Sequence, residues 1–332
     1  MGKSKNFIYA IIMMAGLMRM SCLTGANDAV RVGMAWQPNE KAYDRVVRSI
    51  ELADGEAVIL PQMRPKGFDY DDFVLQAKYL DDDGVLLQQY ADQVKRHTYH
   101  GTDIDSLMQG IDAVVFLGGN DISSTLLREP QPWHGIAGDN CNATRDLSEY
   151  LTMAYCLDHD IPVLCLCRGM QMLAVVSGAA LIQDLGTYFA SQGVDYNNMH
   201  RALRDVDGNR HYVAHDVLVT DRSSLLYSIV LSDEIKNVPS WHHQVVQSVE
   251  GTPLKITAST HTQGYDVIEA IERTDKTFAL GVQFHPEEAV RQHIYNVATA
   301  SQFMQLYEGV SYFRALINHC KKVKSGEVKV ER

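Results

Sequence analysis

Three short stretches of this sequence hold residue types that could carry out covalent chemistry together. The first is Leu164-Cys165-Leu166-Cys167-Arg168-Gly169, where an apolar run gives way at once to a helical pattern. Cys167 falls on the junction, so its sulfur would stand above a sheet at a helix N-terminus. There the helix dipole and unpaired amides favour a thiolate. The amide of Arg168, the next residue, points to where an oxyanion would form, as in other nucleophile elbows. Gly169 has no Cβ and lets the turn pack closely on a neighbouring strand. The second stretch is Gly281-Val282-Gln283-Phe284-His285-Pro286-Glu287. Its apolar residues deliver His285 at a strand end, Pro286 stops the strand, and Glu287 follows two residues later, close enough to hold the second imidazole nitrogen. A thiol nucleophile needs a base, and the base needs an orienter. The third is Phe116-Leu117-Gly118-Gly119-Asn120-Asp121, whose paired glycines bring backbone amides close to a ligand and offer a second oxyanion donor. Taken singly, each has a plainer reading: a cysteine in an apolar strand is a small hydrophobe, His-x-Glu is a surface pair, and two glycines are a turn. Thiol and imidazole at two strand ends together favour acyl transfer through cysteine.

The elements that must position these residues alternate between strand-like apolar runs and helix-length amphipathic stretches. The pattern predicts strands over Val30–Trp36, Glu56–Leu60, Asp112–Leu117 and Ile161–Leu166, with later ones near Ala214–Val219, Leu254–Ala258, Asp266–Ile271 and Phe278–Phe284. Helices are predicted over Tyr43–Ala53, Ile104–Gly110, Ala143–Asp158, Arg168–Ser177 and Ala298–Lys321. Alternation of this kind implies an α/β fold with a mostly parallel central sheet and helices on both faces, and in such sheets ligands sit at the carboxyl ends of strands. Residues 62–100 are more polar, with acidic clusters at Asp71-Asp72 and Asp81–Asp83, and read as an insertion or lid rather than core.

Composition narrows the function. The chain has 332 residues, 46% of them hydrophobic and 21% charged, which is too apolar for a disordered chain. Its 41 acidic residues against 30 basic ones leave a net charge of −11, which argues against nucleic-acid binding, since phosphate contacts need clustered Lys and Arg. Six cysteines at 22, 141, 156, 165, 167 and 320 are too sparse for a disulfide scaffold and form no CxxC metal pattern. At the N-terminus, Lys3 and Lys5 precede the apolar run Phe7–Met18, which is too short to span a bilayer and suits a signal peptide, with small residues at Thr24-Gly25-Ala26 before Asn27. Residues 1–26 are therefore expected to direct export to a periplasmic or secreted location. The alternatives are a lipoprotein anchored at Cys22, or a buried N-terminal helix of a cytoplasmic protein.

Several spaced motifs, in order, resemble the class I glutamine amidotransferase-like family, in its peptidase C26 or γ-glutamyl-γ-aminobutyrate hydrolase-like branch. They are Phe116–Ser123, Arg145-Asp146 with Glu149, Pro162–Leu173, Gly178–Leu185, Ser240–Val246, Ile268–Glu272 and Gly281–Glu287, and the resemblance covers most of residues 30–300. It implies a single flavodoxin-like domain over 27–322, followed by a polar tail at 323–332. It also implies Cys167 as nucleophile, His285 as general base and Glu287 as its orienter, with oxyanion amides from Gly119 and Arg168. His242, His243 and Gln244 would line the substrate pocket, although the two histidines could instead form a packed structural pair. Two features depart from the family. Cys165 stands where glycine is usual, two residues before the nucleophile, and the 62–100 segment is longer than the family leads one to expect. The implied reaction is hydrolysis of a γ-glutamyl amide of a small molecule or peptide, with no metal and no organic cofactor. The alternatives are a glutaminase delivering ammonia to a separate synthetase, and a non-catalytic binder of γ-glutamyl compounds. No integral membrane span is expected, and a homo-oligomer is compatible with this reading.

Overall fold

The computed structural model describes residues 29–133, 140–295 and 302–330; the expected signal peptide, with Cys22, lies outside them. Nine strands form one sheet: β1 (Val30–Met34), β2 (Gly55–Ile59), β3 (Ala113–Phe116), β4 (Val163–Leu166), β5 (Val213–Val219), β6 (Glu234–Ser240), β7 (Leu254–Thr262), β8 (Tyr265–Arg273) and β9 (Ala279–Val282). Their spatial order is β2-β1-β3-β4-β9-β8-β7-β5-β6. The first five strands in this order run parallel, and the rest continue the sheet in antiparallel pairs.

Strand β4 shows why the parallel half forms. All four of its residues are buried, as expected of a strand covered on both faces. Val163 and Cys165 enter one core with Phe116, Met170 and Leu151, while Leu164 and Leu166 enter a second with Val115, Leu280 and Phe313. Side chains alternate across a strand, so the two cores lie on opposite faces. Helices α3 (Ala143–Asp158) and α4 (Arg168–Val176) fill the first; α1 (Tyr43–Leu52) and α6 (Leu306–Ser325) contribute to the second. Cys165 packs as a fully buried thiol that burial holds well above its ordinary pKa, consistent with a filler residue.

Two sequence expectations are corrected here. Residues 62–100 are not a polar lid apart from the core: Met63, Leu75, Tyr79, Leu86 and Val94 are buried in the first core, and the segment contains α2 (Gln88–His97). Its backbone is tied down by side chains, with Met63 N–H donating to Ser148 at 2.9 Å and Leu75 N–H to Thr144 at 3.0 Å. The acidic residues read as a lid signal occupy the outer surface of this cover over α3. The last long helix starts at Leu306 rather than Ala298. Gln305 and Glu308 form a reciprocal capping box that satisfies the helix's first orphan amides, and a separate helix, α5 (Glu287–Tyr295), precedes it. Among the described residues, no helix is long and apolar enough to cross a membrane.

Candidate active site

The carboxyl ends of β3, β4 and β9 converge on a cleft of about 1070 Å³ whose lining includes Gly119, Cys167 and His285. Cys167 follows β4 and caps α4 with φ +50° and ψ −106°. A non-glycine residue in so sparsely populated a region costs on the order of 1–3 kcal/mol and is kept where the surroundings dictate it. The surroundings do so here: the Cys167 amide donates to Val282 O at 2.8 Å, and Cys167 O accepts from Gln171 N–H at 3.2 Å. Gly169 is required by the same turn, because a Cβ there would lie 2.5 Å from the carbonyl oxygen of Phe116.

His285 follows β9, and its amide donates to Pro239 O at 2.9 Å. Its Nδ1 lies 2.7 Å from Oε1 of Glu287, and the ring and the Cys167 side chain both border Gly118. With Nδ1 engaged by a carboxylate, Nδ1 carries a proton and Nε2 is left for the sulfur. Burial works against charge on His285, but the Tyr212 hydroxyl, Glu287 and Cys167 outweigh it and hold its pKa well above the ordinary value. Glu287 is held below the usual carboxylate range against its own burial, chiefly by His285. The neighbouring Glu288 is occupied elsewhere, pairing with Arg45 and, at 3.3 Å, with Arg291.

The amides expected to face an oxyanion are held by a buried ion network. Arg145 donates from Nη2 to the carbonyls of Leu117 and Gly118, each at 3.0 Å, and from Nε to Glu149 at 2.6 Å. Arg168 pairs with both Glu149 and Asp146, and Asp146 also accepts from Ser123 N–H at 2.9 Å. Arg168 is fully buried and is not among the residues that line the cleft, so its backbone amide, next to Cys167, is the only part of it that can serve the site. Its amide is at the first helical position, where no intrahelical partner exists, while its guanidinium is buried beneath. A Cβ on Gly119 would strike the Arg145 guanidinium at 1.9 Å, which explains the glycine.

His242, His243 and Gln244 also line the cleft, and both histidines are at the same time packed structural groups. His243 bridges two carboxylates, with Nε2 2.8 Å from Asp121 and Nδ1 3.2 Å from Asp184. Burial opposes its charge, but those carboxylates raise its pKa. Asp184 is held down to about 2 against its burial by His243 and by the Thr187 amide it caps. His242 reaches the cleft with only a small part of its surface; its ring is buried and turns Nε2 toward Glu269. Sequence reasoning missed Gln283, whose Nε2 donates to Cys167 Sγ at 3.5 Å, and Gln171, which links Gln283 to the carbonyl of Gln244. Gln283 lies inside the His285 motif and could have been weighed there. Tyr212, whose ring packs edge-on to His285 at 5.2 Å, has no local signature.

A cysteine in a strained strand-to-helix turn, an imidazole–carboxylate pair at the adjacent parallel strand end and a glycine loop at the third define a class I glutamine amidotransferase-like fold. A solved structure from Thermoplasma acidophilum, described as that of a GMP synthase subunit, superposes with a TM-score of 0.50 at 15% identity, covering 90% of this chain and 98% of that one; at that identity the likeness concerns the fold alone. The family model for peptidase C26 matches residues 95–287, and the chain belongs to that family of glutamine amidotransferase-like hydrolases. It is 29% identical to protein NtpR of Enterococcus hirae over 264 residues, 79% of this chain and 88% of that protein. It is 31% identical to the glutamine amidotransferase-like protein YvdE of Lactococcus lactis, covering 56% of this chain and 70% of YvdE. With the γ-glutamyl-γ-aminobutyrate hydrolase PuuD of Escherichia coli it shares 28% identity over 46% of this chain and 58% of PuuD.

Proposed function

We propose that this protein hydrolyses γ-glutamyl amides through a cysteine thioester. The observation that carries the reading is the Cys167–His285–Glu287 constellation, with its 2.7 Å imidazole–carboxylate bond, at the floor of an open cleft. The Cys167 thiolate attacks the γ-carbonyl carbon, and the amides of Gly119 and Arg168 receive the oxyanion. His285, protonated at Nε2, gives that proton to the amine as the C–N bond breaks, leaving a γ-glutamyl thioester. It then takes a proton from water, the hydroxide adds to the thioester, and glutamate leaves as the thiolate reforms. One oxyanion donor is worth on the order of 10²–10³ in rate and acid–base catalysis about 10²–10⁴. None of these steps calls on a cofactor.

Support for a γ-glutamyl substrate comes from the likeness to PuuD, and the leaving amine is the variable to determine. The test is a panel of γ-glutamyl amines, γ-glutamyl peptides and glutamine offered to the purified protein, with free glutamate as readout. Turnover of the amines above glutamine is expected. Turnover of glutamine alone would favour a glutaminase that passes ammonia to a partner, and labelling of Cys167 by a γ-glutamyl analogue without turnover of any amide would favour a binding protein. Export is part of the proposal: mature protein from the host should begin near Asn27 or at a lipidated Cys22, and soluble cytoplasmic protein starting at Met1 or Gly2 would overturn it.

A further inference from the structure

Behind the wall that carries His243, four buried side chains from four separate segments turn their donor atoms toward one point. They are His200, in the loop after the helix at 185–191, His215 on β5, His242 after β6, and Glu269 on β8. Glu269 Oε1 lies 3.1 Å from His200 Nδ1, 3.6 Å from His215 Nε2 and 3.6 Å from His242 Nε2. All four donor atoms fall within 4.8 Å of one another. None of the three nitrogens, and neither oxygen of Glu269, makes an aligned hydrogen bond.

The outward-facing nitrogens of His242 and His215 assign their tautomers. His242 Nδ1 lies 3.2 Å from the carbonyl of Gln244, and His215 Nδ1 lies 3.2 Å from the carbonyl of Asp216. A carbonyl only accepts, so both Nδ1 atoms carry a proton. His200 Nε2 lies 2.8 Å from the Thr262 hydroxyl, which also contacts Met199 Sδ at 3.2 Å, so His200 can turn either a proton or a lone pair toward Glu269. The inward nitrogens of His215 and His242 therefore present lone pairs to a carboxylate. Two imidazole lone pairs facing a desolvated carboxylate would be strongly unfavourable; a cation between them, with His200 turned to it as well, satisfies all of them.

We propose that His200, His215, His242 and Glu269 bind a divalent transition-metal ion, zinc by preference. Three imidazoles and one carboxylate suit that ion, and bonds of about 2.0–2.1 Å place neighbouring ligands of a tetrahedron roughly 3.4 Å apart, close to the separations around Glu269. His215 and His242 each donate their other ring nitrogen's proton to a backbone carbonyl, and His200 Nε2 has the Thr262 hydroxyl as its partner, the outer support that metal-bound histidines need. With four protein ligands completing a tetrahedron the site is structural. It takes no part in the proposed reaction, which runs on Cys167, His285 and Glu287. It would pin the 200 loop, β5 and β8 to the turn bearing His242 and His243. The same β8 residue receives Gln283 N–H on its carbonyl at 2.8 Å, one side chain from Cys167.

The test is elemental analysis of the full chain purified without chelator, followed by cobalt reconstitution after chelator treatment. The expected result is about one zinc per chain, a lower melting temperature after metal removal, and the visible absorption of tetrahedral cobalt on reconstitution. Glu269→Gln should weaken the metal at least about 100-fold, since even outer-shell changes cost 10–100-fold, while Cys167→Ala should retain it fully. If Glu269→Gln does not fold, the cobalt spectrum of the wild-type chain decides. Metal below a tenth of an equivalent with no cobalt spectrum would overturn the proposal, and so would loss of the metal in Cys167→Ala, which would place it on the thiol.

Discussion

Replacing Gly118 by alanine perturbs the proposed machinery without removing any functional group. A Cβ at this position would lie 2.6 Å from Cε1 of His285 and 3.5 Å from Cβ of Cys167. The second is an ordinary contact, but the first must open to about 3.5 Å, so the ring moves by roughly 0.9 Å. Gly118 cannot easily retreat instead, because its carbonyl is held by Arg145 at 3.0 Å. Misplacement of a catalytic group by about 1 Å costs roughly 10²-fold in rate, equivalent to a barrier rise of about 2.7 kcal/mol. Overpacking itself should destabilise the fold by about 1–3 kcal/mol. Steady-state kinetics on the best γ-glutamyl amide from the panel should show the loss in kcat, with KM changed little, because the Cβ points at the imidazole and not at the wall near His243. A kcat within threefold of wild type would mean that the ring's position relative to Cys167 does not control the rate, and the acid–base role of His285 would have to be abandoned.

Cys167→Ala should abolish hydrolysis with the fold intact, whereas Cys165→Gly should keep most activity because Cys165 is buried in the core; equal loss in both, at normal stability, would refute a single nucleophile. His285→Ala should cost nearly as much as losing Cys167 and Glu287→Gln less, with the double mutant no worse than His285→Ala alone; additive losses in kcat would mean that Glu287 acts independently of His285. His243 adds a pH signature. Its pKa is raised above the ordinary 6.5, so its contribution to stability is complete below that value and lost as pH climbs through the raised one. Asp184, held down to about 2 from 3.8, contributes above 3.8 and loses that contribution as pH falls toward 2. The difference in melting temperature between wild type and His243→Gln should therefore plateau between about pH 4 and 6.5 and shrink on both sides; a flat difference would show that the Asp121–His243–Asp184 bridge does not form.

The parts of the fold legible in the sequence are those whose information is local. Val163–Leu166 is an unbroken apolar run followed by a helical pattern, so the strand, the turn and Cys167 on it come together. His285 and Glu287 are separated by one proline and share a short motif. Strand β6 was not legible, because Glu234–Ser240 carries Lys236, Asn237 and Pro239, residues that blunt an edge strand and hide it from propensity. The start of α6 escapes hydrophobic periodicity because the boundary is set by the Gln305–Glu308 box. Residues 62–100 hide their core role for a related reason: their buried side chains are interleaved with acidic turns such as Asp81, which accepts from the amides of Asp83 and Val85.

The histidine–glutamate cluster shows what no local pattern can carry. His200, His215, His242 and Glu269 become neighbours only because the antiparallel strands fold β5, the turn after β6, and β8 onto one another. That places two kinds of support behind one cleft. The thiol and the expected oxyanion amides rest on the parallel strands and on the Arg145–Glu149–Arg168–Asp146 network. The wall bearing His243 and Gln244 rests on the antiparallel extension and its buried histidines. His285 stands at the seam, its side chain with the first group and its amide bonded to Pro239 of β6. Changes in the antiparallel half can therefore reshape what the cleft accepts while leaving Cys167 and its turn in place, so differences in ligand preference among related chains should map to β5–β8 and the loops at 200–212 and 241–244.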